Sequence, residues 1–312
     1  MTKSLWVGQR LLQLVPVLIG ISIISFTLIQ MIPGDPARLM LGPKASPEAV
    51  AAVRERLGLD QPAISRYFQY MGNLLQGDLG DSYRYQMPVL DLILERLPVT
   101  AFLALYVMVL SIPTTLFLGR AAGRRRNTWV DHSIRLLSVL GMTVPVFWLA
   151  VLMLRLFSID LGWFPVGGYG EGFIGHLHHL FLPAVSTAIW VVPVLVRNLR
   201  AAIIEESLAD YLTASRSKGL PENYIFSKHV LRNASFTTIN LLCVMVIWMI
   251  GGTVIVELVY AITGLGTLMF NAILALDFVV IQSLTLFYAV TTVTITLLTD
   301  LVSGFIDPRL ET

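Results

Sequence analysis

Six stretches of the chain are apolar almost without interruption: Leu11–Ile32, Pro98–Leu118, Leu136–Ile159, Leu180–Val196, Thr237–Val259 and Val279–Ile306. Crossing about 30 Å of hydrocarbon takes roughly 20 such residues, so each run is read as one membrane span. The fourth is the shortest, and its helix is expected to continue past Arg197 and Arg200. Inside hydrocarbon a lone segment must satisfy its own backbone, which predicts helices. The period-two alternation of a barrel strand is absent.

Between the first two runs lies segment 33–97, which is patterned rather than low in complexity. Ser46 is placed to cap a helix that has Pro47 at its first position and Glu48 in its first turn. Val50, Val53 and Leu57 share a face, and Gly58 ends the helix. A second helix is predicted from Pro62 to Leu75, with Ile64, Phe68, Met71 and Leu75 on one stripe. The segment reads as a small folded cap, packed on the membrane or on a partner. The chain thus divides into an N-terminal segment with the first span (1–32), the helical loop 33–97, and a core of five spans (98–312) that carries a polar segment at 205–233.

Composition agrees. Of 312 residues 55% are hydrophobic and 13% charged, against about 25% charged in soluble domains, and the mean hydropathy is +0.74. This is an all-α integral membrane protein. A net charge of +2 is too small to imply nucleic acid, and the single cysteine, Cys243, excludes a disulfide within the chain. Lys3 and Arg10 before the first run resemble the start of a signal peptide, but the run is too long and has no small-x-small cleavage site, so it is read as an uncleaved span.

Charge also sets orientation. Loop 119–135 holds Arg120, Arg124, Arg125, Arg126 and Arg135, and segment 197–232 holds Arg197, Arg200, Arg216, Lys218, Lys228 and Arg232, whereas loops 160–179 and 260–278 hold no Lys or Arg. Positive loops stay in the cytoplasm, which gives six spans with both termini inside and loop 33–97 outside. The Lys and Arg of that loop do not count, because loops so long escape the rule.

The ordered polar segment Glu205–Asn233 is therefore cytoplasmic. Ser207–Ser217 reads as a helix ended by Gly219, with Leu208, Tyr211, Leu212 and Ser215 on one face. Pro221 starts another helix, with Ile225, Phe226, His229 and Val230 as its apolar face. Periodicity alone leaves two readings: a rigid ridge for a groove in a partner, or an interfacial helix resting on headgroups.

The order of residues within this segment carries a resemblance. Asp210-Tyr211-Leu212-Thr213-Ala214-Ser215-Arg216-Ser217-Lys218-Gly219-Leu220, followed by His229-Val230-Leu231-Arg232-Asn233-Ala234, resembles the coupling-loop signature of ABC importer permeases. The dipeptide/oligopeptide/nickel branch is the nearer match, in its first-permease, dipeptide-permease-B-like subtype. Ile32-Pro33-Gly34-Asp35-Pro36, Gly58-Leu59-Asp60-Gln61-Pro62, Gly77-Asp78-Leu79-Gly80, Gly162-Trp163-Phe164-Pro165, Leu182-Pro183-Ala184, Gly264-Leu265-Gly266 and Asp307-Pro308-Arg309 are typical of that branch, in order and spacing.

The resemblance implies the six-helix type I importer permease fold in a bacterial inner membrane. It implies a second, homologous permease as partner, two cytoplasmic ATPase subunits holding ATP and magnesium, and an extracytoplasmic binding protein delivering small peptides. It carries the ATPase-coupling role onto Asp210, Tyr211, Thr213, Ala214, Ser215, Arg216, Lys218 and Gly219. The wider superfamily has Glu-Ala-Ala where this chain has Thr213-Ala214-Ser215, which leaves open the side chain that touches the ATPase. Relatives of the branch also carry nickel chelates, glutathione and sugars, so the cargo stays open between these and peptides.

No G-x-x-x-x-G-K-[ST] run occurs, so no nucleotide, cofactor or catalytic residue is assigned to this chain. His176, His178 and His179 cluster in an outer loop, where imidazole suits transition metals, but no carboxylate or thiol is adjacent and no metal site is assigned. His132 and His229 read as structural. Polar residues inside spans mark pathways or contacts between spans. Among Gln30, Asn240, Gln282, Ser283, Thr285 and Asp300, the translocation-path candidates are Asn240, Gln282 and Ser283. Gly251 and Gly252 are read as a site of close helix packing. A stand-alone secondary transporter would show interrupted helices at related positions in two halves, and an intramembrane hydrolase would show an HExxH motif; neither pattern is found.

Overall fold

The computed structural model describes residues 3–30, 35–41, 45–56 and 60–306, and every regular element among them is a helix. In chain order these are α1 (Lys3–Gln30), α2 (Pro36–Leu41), α3 (Pro47–Arg56), α4 (Ala63–Leu75), α5 (Val89–Arg124), α6 (Trp129–Thr143), α7 (Val146–Met153), α8 (Gly172–Ser207), α9 (Tyr211–Ser217), α10 (Glu222–Ile225), α11 (Leu231–Gly252), α12 (Val254–Val259), α13 (Leu265–Leu274) and α14 (Phe278–Ile306). π-Helical turns extend α7 over Leu154–Asp160 and join α10 to α11 over Phe226–Val230.

Among the described residues four helical stretches are each long and apolar enough to cross a membrane: Val89–Arg124, Gly172–Ser207, Glu222–Gly252 and Phe278–Thr299. The third expected span is not one straight helix. Trp129–Thr143 and Val146–Asp160 meet at 94°. Val144, before Pro145, is extended at φ −76° and ψ 123°, the conformation that a following proline ring enforces, and Pro145 has no N–H with which to continue the helix. The first apolar run lies in α1 and continues beyond the described residues.

The residues fall into two compact units, one drawn from the chain up to Pro98 together with Gly264–Leu297, the other from Val99–Thr263. In the first unit Val89, Leu92 and Ile93 of α5 pack on Leu265, Leu268 and Ala272 of α13 and on Val280 and Leu284 of α14. Asp277, 1% exposed, accepts from Ser82 Oγ at 2.6 Å and the Arg84 N–H at 3.1 Å, fixing that loop to the start of α14. Ser46 Oγ accepts the Ala49 N–H at 3.2 Å, capping α3 as its sequence predicts; the Gly58 stop lies outside the described residues. α4 runs to Leu75, as its pattern predicts, and α2 is an additional helix that the pattern did not reveal.

In the second unit α8 is the central post, buried along most of its length against α6, α7, α11 and α12. It begins at Gly172, earlier than its apolar run, so the three histidines expected in a loop stand on its first turns. Each spends one ring nitrogen on a backbone carbonyl of the preceding loop: His176 on Tyr169 at 3.0 Å, His178 on Trp163 at 3.0 Å and His179 on Gly167 at 2.8 Å. That loop is held from elsewhere too, since the Gly168 N–H donates to Tyr260 O at 3.0 Å.

Among the described residues of this chain no other helix closes on Gly251 or Gly252. A Cβ on Gly251 meets nothing within 4 Å, and one on Gly252 meets Trp248 of its own helix. The close approach lies instead at Gly119 and Gly123 of α5, where a Cβ falls 2.7 Å from Leu199 Cδ2 and 2.6 Å from Ile203 Cγ2 of α8. Those glycines stand four apart on one face, the spacing that brings two membrane helices together.

Candidate functional site

The polar segment folds around a small apolar core of its own. Leu199, Ala202 and Ile203 at the end of α8, Leu212 of α9, Ile225 of α10, Phe226 and Val230 of the π-turn and Ala234 of α11 are buried together, with Leu220 packed at the margin. α9 has only seven residues, too few to be stable as an isolated helix, so its order comes from this core. Burying a leucine contributes roughly 1.5–3 kcal/mol, which makes Leu212 its main anchor.

The helix expected over Ser207–Ser217 is interrupted. α8 ends at Ser207, and the Leu208 and Ala209 N–H groups turn back to Glu205 O and Glu206 O, three residues earlier. In an unbroken helix Leu208 and Leu212 would share one face. The break separates them: Leu208 is 72% exposed, whereas Leu212 is fully buried. The chain gives up one apolar contact to lay α9 across the end of α8.

The exit from α9 is a Schellman cap. The Gly219 N–H bonds Arg216 O at 2.9 Å and the Leu220 N–H bonds Ser215 O at 3.4 Å, the paired pattern that closes helix C-termini. Gly219 has φ +74° with open space where a side chain would project, so backbone conformation alone calls for glycine. Pro221, extended at φ −67° and ψ 141°, then starts α10.

Side chains fasten both ends. Tyr211 Oη donates to Glu206 Oε2 at 2.8 Å, and Asn233 Nδ2 donates to Tyr211 Oη at 3.0 Å, so one triangle joins α8, α9 and α11. Burial, and after it the Glu206 carboxylate, push the Tyr211 phenol above its ordinary value. Arg216 Nε donates to Glu222 Oε1 at 2.8 Å, tying α9 to α10, and this bond raises the Arg216 guanidinium further. Arg124 donates to Asn223 Oδ1 and lies over the Phe226 ring at 5.2 Å, with Arg120 over the same ring at 5.8 Å.

What remains outward is a ridge. Asp210, Tyr211, Thr213, Ala214, Arg216, Lys218 and Gly219 are exposed, and Ser215 is half-buried. Asp210 stands at the N-cap of α9 and makes no capping bond with its side chain. Thr213, Ala214 and Ser217 are small, so another protein can approach the α9 backbone closely. The residues that position this ridge, Leu212, Glu206, Asn233 and Glu222, were not among the sequence-derived site residues, although Leu212 and Asn233 both fall within the quoted signature and Leu212 stands on the apolar face.

The path candidates fall in both units. Asn240 is exposed on α11 of the second unit. Gln282 and Ser283 are neighbours on α14 of the first. The Gln282 carbonyl accepts Ser25 Oγ at 3.2 Å, and Ser283, 2% exposed, donates to Leu79 O at 3.0 Å. Thr285 bonds back to Ile281 O at 2.7 Å. The side chains of Gln30 and Asp300 lie outside the described residues.

Residues 115–312 match a family described as the binding-protein-dependent transport system inner membrane component, and residues 4–104 match the N-terminal part of such membrane components. The chain is 40% identical over 306 residues to a candidate peptide transport system permease of Brucella abortus, covering 97% of this chain and 98% of the relative. It is 34% identical over 312 residues to the oligopeptide transport system permease AppB of Bacillus subtilis, covering 98% and 99%. It is 34% identical over 306 residues to the glutathione transport system permease GsiC of Escherichia coli, covering 98% of each.

Proposed function

The chain belongs to the binding-protein-dependent transport system inner membrane component family, and from that premise we propose that it is the permease subunit of an ATP-driven importer of small peptides. It is a multi-pass protein of the inner membrane. A binding protein delivers peptide to the face bearing segment 33–97, and the peptide crosses between this chain and a second, homologous permease. ATP and magnesium are held by two ATPase subunits, and this chain makes and breaks no covalent bond. Both termini are cytoplasmic, a reading supported by the arginine-rich loop 119–135.

The observation that carries this reading is the α9 ridge, exposed on one side and anchored through Leu212 on the other. Closure of the ATPase pair on ATP moves α9 as a rigid body. Leu212 presses on the core that contains Leu199 and Ile203. These α8 residues lie against Gly119 and Gly123 of α5, so the displacement reaches a second span without slack. A flexible loop at 211–217 would absorb it.

Cross-linking tests this. With Cys243→Ser as background, Thr213→Cys is expected to form a nucleotide-sensitive cross-link to the ATPase subunit in membranes of the assembled transporter; labelling of Thr213→Cys from the outer side sinks the proposal. Peptide as cargo is supported by the Brucella and Bacillus relatives, and the likeness to GsiC favours glutathione, itself a tripeptide, as the second reading. The ligand that co-purifies with the cognate binding protein decides between them.

A further inference from the structure

Helix α4 has three faces, and one of them is out of place in water. Ile64, Phe68 and Leu75 lie along one line of the helix and are 74%, 69% and 84% exposed. Ser65, Gln69 and Asn73 form an adjoining polar line. Tyr67 and Tyr70 form the third face and pack on α1. Tyr67 Oη hydrogen-bonds Ser22 Oγ at 2.8 Å, its ring meets Phe26 edge-on at 5.4 Å, and Tyr70 stacks on Phe26 at 6.1 Å.

The depth of those contacts is the second observation. Ser22 stands at the middle of the Leu11–Ile32 apolar run, about 12 Å along α1 from Gln30, its last described residue, at 1.5 Å per residue. Phe26 is about 6 Å from Gln30 on the same rise. A tyrosine side chain covers only part of such a distance, so the α4 backbone at Tyr67 lies below the end of the span. The exposed large side chains of α1 include Val15, Ile19, Ile23 and Ile24, all apolar. An apolar stripe beside a polar one is the pattern of a helix seated at the boundary of headgroups and acyl chains.

We propose that α4 is a membrane-inserted helix whose Ile64–Phe68–Leu75 stripe faces the acyl chains of the leaflet on the 33–97 side. The occupant of this face is lipid, and the helix braces α1 from within the bilayer. The inference rests on α1 crossing the membrane and is independent of cargo and motor.

Site-directed spin labelling tests it in the complete transporter, held in vesicles of phosphatidylethanolamine and phosphatidylglycerol. On a Cys243→Ser background, nitroxides are placed at Ile64→Cys, Phe68→Cys and Leu75→Cys, and at Ser65→Cys, Gln69→Cys and Asn73→Cys. Accessibility is read with molecular oxygen, which concentrates in acyl chains, and with a water-soluble nickel chelate. Expected is a several-fold excess of oxygen over chelate accessibility at 64, 68 and 75, and the reverse at 69 and 73. Chelate-dominated relaxation at 68 would mean an aqueous face, and inaccessibility to both reagents would mean a protein face; either overturns the proposal. These readouts do not depend on uptake, so loss of the peptide reading leaves them unchanged.

Discussion

Arg200 grips Asp131 with two hydrogen bonds, Nε to Oδ1 at 2.6 Å and Nη2 to Oδ2 at 2.8 Å, locking the start of α6 to α8. Asp131 is fully buried and also accepts the Asn127 N–H at 3.0 Å, while the Arg200 side chain is 18% exposed. The two partners therefore differ in what they suffer when left alone. Breaking a buried pair by removing one member costs roughly 3–5 kcal/mol. Arg200→Ala leaves the buried carboxylate with only the Asn127 N–H and Arg135, whose Nε lies 3.8 Å from Oδ1, and is expected to cost more than the reverse change. Asp131→Ala leaves a cation that can turn toward solvent and is expected at or below the lower end. Thermal unfolding of the purified protein ranks the two; equal losses, or a larger loss in Asp131→Ala, would contradict the asymmetry.

Leu212 and Leu208 make a matched pair for the anchor. Leu212 is fully buried and Leu208 is 72% exposed, although both stand at the junction of α8 and α9. Truncating a buried leucine costs roughly 2–5 kcal/mol, a loss that a seven-residue helix cannot absorb. Leu212→Ala is expected to strip hydrogen-exchange protection from 211–217 and to reduce ATP-driven uptake severely, with ligand affinity of the binding protein unchanged. Leu208→Ala is expected to do neither. Comparable behaviour of the two variants would remove the anchoring role.

This pair also marks how far the sequence could be read. The long apolar runs were legible because a bilayer demands length and hydrophobicity together. The break after Ser207 was not, since Leu208 and Leu212 fit an uninterrupted helical face and no Gly or Pro lies between them. Pro145 was visible, but membrane helices tolerate proline, and whether one bends or breaks depends on what neighbouring helices offer. The glycines show the same dependence: Gly251 and Gly252 are adjacent and conspicuous, yet the large neighbours that exploit a missing side chain are Leu199 and Ile203, opposite Gly119 and Gly123. The coupling motif could be read because each of its two stretches is continuous in sequence, whereas the triangle around it, Glu206–Tyr211–Asn233, closes across 27 residues.

Gly219 separates backbone conformation from space. Its φ is +74°, and a Cβ there meets nothing within 4 Å, so any penalty comes from left-handed backbone, about 1–2 kcal/mol for most residues and less for asparagine. Gly219→Asn is expected to keep most uptake, Gly219→Ala to keep less, and Gly219→Val least. Uptake per transporter at matched expression measures the series. An asparagine variant as defective as the valine one would mean that a partner needs the bare backbone at this position.

The contact of α5 with α8 provides the last expectation. A Cβ on Gly123 would lie 2.6 Å from Ile203 Cγ2 and 2.9 Å from Ile203 Cβ. The second of these atoms sits at the root of the side chain and cannot swing away, so Gly123→Ala must move one helix. Overpacking of this kind costs typically 1–3 kcal/mol. Ile203 also belongs to the core around Leu212, so the same displacement is felt where α9 is held, and coupling of ATP hydrolysis to uptake should fall along with stability. Ile203→Ala removes Cγ2 and Cδ1 but keeps the Cβ at 2.9 Å; alone it opens a cavity, and combined with Gly123→Ala it relieves the closer of the overlaps and leaves the second. A double-mutant cycle in unfolding free energy is therefore expected to show compensation between the two sites, in the range of 0.5–3 kcal/mol found for residues in contact. Simple additivity would mean that α5 and α8 do not meet at these residues, and the path from α9 to a second span would have to run elsewhere.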